Sequence, residues 1–415
     1  MTQLPLLSFT PVSTHIITQH YNKYKKKFSH RRWMDLIYLD YAASTPVSEE
    51  SLHVFQQLSK ECYGNASSLH DAGGRANEIL AYSRQSLAAM LGGEPDGIYF
   101  TSGGTESNIL AIQSIINGLP PHKQHVITTS VEHPSVHHAV NALQRLGVKV
   151  TVIEPNQEGI ITKEILKQAL LPETGLVSIQ HANSETGIIQ PLAELATLLK
   201  ERDILFHTDA VQTFGKMHVS IKELGVDALS ISSHKVYAPK GAGAVYMGAH
   251  VPWKPIYQDT VQENGLRPGT VNVPCIGAFV AASEQIMLKI DQQQQLDIQL
   301  RDYFLQQLKK RKLSVRMLQE SDQRRTLPHI IGCFFEGFEG QYVMLACNRH
   351  GICISTGSAC ASGYHHPSPA VKALHVSDRD ALQFIRLSFG RGSSKDDIDQ
   401  LLHTFESLQK EKKGA

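Results

Sequence analysis

Between residues 97 and 248, short apolar runs recur: GIYFT, HVITTS, VTVIE, LVSIQHA, ILFHTD, ALSIS and KGAGAVYMG. Runs this short, with little polar alternation, read as strands buried on both faces. Between them, SNILAIQSIING and PLAELATLLKERD carry apolar residues at helical spacing. Strand and helix in alternation predict βα units and an α/β fold with a mainly parallel sheet. The pattern supports a large domain over 50–285. A smaller α+β domain is expected from an early strand near 36–49 together with residues 286–415. Apart from QQQQ at 292–295, no repeat or low-complexity array interrupts the pattern.

Composition adds two limits. A chain of 415 residues with 41% hydrophobic content can bury a sizeable core, and a net charge of +1 sets up no global field for nucleic acid. The charge is uneven, however. Residues 1–33 contain no Asp or Glu but hold Lys23, Lys25, Lys26, Lys27, Arg31 and Arg32, so the remainder is acidic. This basic extension, taken to residue 35, resembles an organellar transit peptide in composition and a nucleic-acid or membrane arm in charge. The simpler expectation is a disordered tail or a start set upstream of Met34. No apolar run is long enough for a membrane span. The expected partners therefore include neither nucleic acid nor membrane.

The six cysteines (Cys62, Cys275, Cys333, Cys347, Cys353 and Cys360) form no CxxC pair and no zinc-type cluster, so no metal site is expected. Without an export signal they read as free thiols of a reducing, cytoplasmic compartment. Cys333, Cys347 and Cys353 have apolar neighbours and behave as small hydrophobes. Cys360 lies in STGSACASGYHHPSP, the composition of an exposed loop, and is available for reaction.

The ends of the predicted strands carry the chemistry, where ligands gather in such sheets. GIYF is followed by TSGGTESN, HVITTS by Glu132-His133, LVSIQHA by Asn183-Ser184-Glu185, ILFHT by Asp209 and Gln212, and ALSIS by Ser233-His234-Lys235. A lysine between two buried segments is poorly solvated and is pushed toward the neutral amine, a nucleophile toward carbonyls. TSGGTESN opens a helix after a strand, so its free N–H groups suit a phosphate or another anion, or the glycines merely turn the chain. Asp209 either holds a protonated ring nitrogen or caps a helix. His133 either stacks on a ring and moves a proton or is structural.

LDYAASTP, GNASSLH, FTSGGTESN, EHPSV, NSETG, HTDAVQ, SSHKVYAPKGAGA, LRPGTVNVP, STGSACASG and IRLSFGR follow one another in the order and spacing of cysteine desulfurases. The chain resembles this family, class V of the fold-type-I pyridoxal-phosphate (PLP) enzymes, over about residues 36–405. Within the family it is similar to the Bacillus-type desulfurases associated with NAD biosynthesis, which implies the iron–sulfur enzyme quinolinate synthase as a client. The resemblance implies a homodimer that binds pyridoxal 5'-phosphate, converts L-cysteine to alanine, and hands sulfur to an acceptor or iron–sulfur scaffold.

The resemblance also implies roles for particular residues. Lys235 is the cofactor-bearing lysine and moves the Cα proton. Cys360 takes the sulfur as a persulfide. His133 lies over the ring, Asp209 on its nitrogen and Gln212 near its phenolate oxygen. Gly104, Thr105, Ser232 and His234 hold the phosphate, with Thr270 reaching across from a second subunit. Asn183 and Ser184 border the site, and Arg386 clamps the substrate carboxylate.

Two departures stand out. The family's second Asn in Asn-Asn-Glu-x-Gly is Ser184 here, and its Gly-Gly-Gly-Gln-Glu is Asp259-Thr260-Val261-Gln262-Glu263. Other class V enzymes, a selenocysteine lyase or an aminotransferase, remain alternatives, as does a non-catalytic regulator built on the same fold.

Overall fold

The computed structural model describes residues 36–318, 325–356 and 368–414. The basic extension and Cys360 lie outside the described residues. Along the chain run β1 (Ile37–Tyr38), α1 (Glu49–Glu61), α2 (Asp71–Leu91), β2 (Ile98–Thr101), α3 (Gly104–Gly118), β3 (His125–Thr129) and α4 (Pro134–Arg145). β4 (Lys149–Ile153), β5 (Thr174–Ser178), α5 (Leu192–Lys200), β6 (Leu205–Asp209), β7 (Ala228–Ser232) and β8 (Gly243–Met247) follow. α6 (Val273–Met287), α7 (Ile290–Arg311), β9 (Val315–Met317), β10 (Ile330–Phe335), β11 (Ile352–Cys353), β12 (Phe384–Ser388) and α8 (Lys395–Gly414) complete the set used below.

The apolar runs became β2 to β8, joined in one seven-stranded sheet of order β2-β8-β7-β6-β5-β3-β4. Residues alternate between its two faces. Phe100, Ile127, Val177, Phe206 and Leu229 enter one core, whereas Tyr99, Val126, Leu176 and Ala228 enter the other. Both faces are covered, which is why these strands read as continuous apolar runs rather than alternating ones. The sheet is mixed: β3 to β7 are parallel, while β8 runs antiparallel to both β7 and β2.

The early strand is much shorter than its 36–49 span suggested; β1 is two residues long and pairs in parallel with β11. A three-stranded antiparallel sheet, β12-β10-β9, packs with α7 and α8 around a second apolar centre containing Phe304, Phe335, Leu387 and Phe405. Within it, burial pushes the thiols of Cys333 and Cys347 up to about 12, so both stay protonated and act as packing groups. No single helix among the described residues is long and apolar enough to cross a membrane.

Candidate active site

The carboxyl ends of the parallel strands open into a cavity of about 470 Å³. β7 ends at Ser232, and one tight turn, Ser233–Lys235, opens the loop that leads back into β8 at Gly243. That turn puts His234 and Lys235 on the cavity wall. The Lys235 ammonium meets only neutral acceptors, donating to the carbonyls of Ala42 and, at 2.9 Å, Ala43. Burial, with the Arg386 guanidinium nearby, brings its pKa down to about 7, against the weaker pull of Asp209 and Asp40. Near neutral pH a substantial fraction of Lys235 is therefore free amine.

α3 begins without a side-chain cap. Gly103, at φ 152°, occupies the N-cap, so the first N–H groups of the helix point at the cavity unpartnered by any side chain there. Gly104 allows close approach: a Cβ on it would lie 2.9 Å from Cγ2 of Val211 and 3.5 Å from Cβ of Ser232. Thr105 lines the same wall. The Ser232 hydroxyl is buried and has no hydrogen-bond partner. A glycine-formed cradle at a helix N-terminus beside an orphaned hydroxyl fits a phosphate group. These residues and Lys235 together fit pyridoxal 5'-phosphate.

Asp209 ends β6 and is nearly buried. Its Oδ1 accepts from the Val211 N–H at 2.9 Å and its Oδ2 from Asn108 Nδ2 at 2.6 Å. The next helix begins only at Ile221, so the Val211 contact caps a turn rather than a helix. His133 is the N-cap of α4, and burial holds its imidazole below the usual histidine range, against the field of Asp209. The preceding Glu132 is buried too. It accepts from Thr129 Oγ1 at 2.8 Å and from the Gln180 N–H at 2.9 Å, while its other oxygen has no partner. Its carboxyl is pushed up to about 8 by that burial and stays neutral at pH 7. Gln212 lines the cavity and donates to the Ala42 carbonyl at 3.2 Å.

Arg386, on β12, brings the small sheet to the cavity. It is 3% exposed, donates to the Ser184 carbonyl at 2.9 Å and pairs with Asp40 at 2.5 Å, and its Nε is left without a partner. Ser184 thus meets Arg386 through its backbone carbonyl. Glu185 also lines the wall, with its carboxyl raised by burial and bonded by the Ser368 hydroxyl.

Ten of the residues singled out from sequence meet in this one cavity: Lys235, His133, Asp209, Gln212, Arg386 and Ser184, with Gly104, Thr105, Ser232 and His234 around the cradle. Two others do not border it. The Asn183 side chain donates to the Val131 carbonyl and accepts from the Glu185 and Thr186 N–H groups, which shapes its own turn. Thr270 is exposed on a loop. The Asp259 departure coincides with backbone at positive φ: Asp259 (57°), Glu263 (49°) and Asn264 (53°). Glu263 is nevertheless anchored, pairing with Arg84 at 2.6 Å and accepting from the Phe100 N–H at 2.7 Å.

Sequence reading missed the partners behind the wall. Asp40 lies 346 residues from the arginine it pairs with, and no local pattern reports such a pair. Asn108 and Ser135 sit inside quoted motifs, and a polar residue on the apolar face of α3 was the available signal.

The class-V aminotransferase family profile matches residues 37–401. A candidate cysteine desulfurase NifS of Bacillus subtilis (strain 168) is 59% identical over 379 residues, covering 91% of this chain and 96% of that one. The cysteine desulfurase IscS of Dictyoglomus turgidum is 39% identical over 372 residues, 90% of this chain and 94% of its own. A solved NifS-like protein superposes with a TM-score of 0.83 at 30% identity, covering 90% of this chain and 99% of that one. With this match spanning the cavity and both sheets, the chain belongs to the class-V aminotransferase family and is one of its pyridoxal-phosphate-dependent cysteine desulfurases.

Proposed function

We propose that this desulfurase works as a homodimer in the cytoplasm, takes sulfur from L-cysteine onto Cys360 as a persulfide, and passes it to an acceptor for iron–sulfur assembly. Quinolinate synthase is the proposed client, which would link the enzyme to NAD biosynthesis. The observation that carries the catalytic part is the company Lys235 keeps: a desolvated amine in one cavity with Asp209, His133 and Arg386, beside the orphaned Ser232 hydroxyl.

When bound, pyridoxal phosphate supplies a carbonyl carbon for amines and a ring that takes up the electrons left as a proton leaves Cα. The α3 N-terminus, Thr105, Ser232 and His234 hold the phosphate. Thr270, which is exposed in the single chain, serves the neighbouring subunit's site. Asp209 would keep the ring nitrogen protonated, Gln212 would serve the ring oxygen, and His133 would flank the ring. Asn183 fixes the turn that carries Ser184. Arg386 holds the substrate carboxylate, with Nε as the donor left for it. Lys235, near neutrality, takes the Cα proton and returns it. The Cys360 thiolate would attack the substrate sulfur and form the S–S bond as the Cβ–S bond breaks, its electron pair staying with carbon, where Cβ takes up a proton, so that the sulfur leaves on the enzyme and alanine is released.

Anaerobic incubation with L-cysteine tests this reading. Alanine and protein-bound persulfide should form in equal amounts in the first turnover, with the persulfide mapped to Cys360 by mass spectrometry and absent from Cys360→Ser. Persulfide on another cysteine, or a keto acid in place of alanine, would overturn it.

A further inference from the structure

A chain of buried hydrogen bonds runs behind the cavity wall from Asp209 to His133, and its directions can be assigned. The Asp209 carboxylate only accepts, so the Asn108 amide turns its NH2 toward it, at 2.6 Å. The second hydrogen of that NH2 goes to Ser135 Oγ at 2.9 Å. The Asn108 oxygen is buried and unpartnered as a result. Rotating the amide would set that oxygen against a carboxylate instead, so the orphaned acceptor is the lesser cost. Ser135 Oγ, having accepted from Asn108, has its own proton free for His133 Nδ1, 2.7 Å away. The Ser135 backbone N–H donates to the same nitrogen at 3.2 Å.

Two donors converge on Nδ1, and one of them, a backbone amide, cannot reverse. A neutral imidazole there must carry its proton on Nε2, which makes no hydrogen bond among the described residues although the ring lines the cavity. We propose that Asn108 and Ser135 are positioning residues that lock His133 in the Nε2–H tautomer and tie its ring orientation to Asp209. This rests on the reading that His133 acts in the site. Burial favours the neutral ring, as do the charges of Lys235 and His138, while Asp209 opposes them.

The lock is read by two-bond proton–nitrogen NMR of the full chain labelled with 15N-histidine, with and without pyridoxal phosphate. The His133 signal is identified by its loss in His133→Gln. The wild type should show Nδ1 unprotonated and Nε2 protonated in both states. Ser135→Ala removes the short 2.7 Å contact and leaves only the longer backbone N–H contact at 3.2 Å on Nδ1, so it should admit a measurable share of the Nδ1–H form and lower kcat about tenfold, with KM for cysteine within about twofold. Ser135→Thr should restore the single tautomer. An Nδ1–H tautomer in the wild type, or an unchanged tautomer in a folded Ser135→Ala, overturns the proposal. The wild-type spectrum decides even if Ser135→Ala does not fold. Full turnover by His133→Gln would instead sink the role of His133, a separate result from the tautomer.

Discussion

Among the described residues, two of the cavities have a desolvated lysine on the wall, and only one of these two has the features of a reaction site. The second, about 530 Å³, lies between Tyr237 and α7 and is lined by Lys216, Lys289, Arg391 and the glutamine run at Gln292 and Gln293. Burial brings Lys216 down to about 8, not far from Lys235. The two differ in what surrounds the amine. Lys216 sits 4.8 Å above the Tyr237 ring, which Arg391 also approaches at 4.7 Å, and it faces Asp297, itself raised to about 6 by burial. Its charge has an aromatic face and an acid to answer it. Lys235 has two carbonyls, and beside it stand an uncapped helix and an unpartnered hydroxyl. Burial alone makes a lysine reactive in principle; unsatisfied groups around it make a site.

Exchanging the lysines tests that contrast most severely. Lys235→Ala should cut cysteine turnover by about 10³-fold or more while the chain stays folded. Lys216→Met should change turnover by less than about threefold and instead lower stability by about 1–3 kcal/mol, because Asp297 loses its cation. Comparable losses of turnover in both, measured as alanine release, would erase the distinction. A smaller effect is expected at Arg386. Arg386→Lys keeps the charge but loses the fork, and kcat/KM for cysteine should fall by about 10²-fold, chiefly through KM. A change confined to kcat would show that it does not bind the substrate carboxylate.

The smallest expected difference is in titration. A lysine whose pKa is lowered on folding loses its proton earlier as pH rises, so reactivity that needs the free amine grows with pH and levels off above the folded pKa. Cofactor capture by cofactor-free protein should be half-maximal near pH 7. Acylation of Lys216 under the same conditions, followed by peptide mapping, should reach its midpoint about one unit higher. Capture that keeps rising to pH 10 would mean that Lys235 is solvated.

Sequence disclosed the strands of the large sheet well, because burial on both faces leaves a continuous apolar signal that short-range pattern can detect. It did not disclose that β8 runs against its neighbours, since KGAGAVYMG has the same composition in either direction and its direction appears only in its pairing with β7 and β2. Strand-end residues were legible for a similar reason: polar groups after an apolar run stand out. Their partners were not. Asp40 meets Arg386 through pairing between elements at opposite ends of the chain, and such contacts follow from topology alone. Asn183 shows the converse limit, a polar residue in the right motif whose hydrogen bonds serve its own turn.

The position of β2 in the sheet has a consequence for how the enzyme is made. β2 carries the phosphate cradle on its end, yet its strand partner is β8, with Thr101 opposite Gly243 and Ile98 opposite Tyr246. Its outer side is held by Glu263, later still in the chain. Strands β3 to β7 can pair among themselves as they leave the ribosome, but the cradle waits at an edge until β8 has been synthesised. A nascent chain stopped before residue 243 has Asp209 at the end of β6 but lacks the strand that pairs with β2. The phosphate-sized cradle is thus completed by residues that follow it by more than 130 positions in the chain.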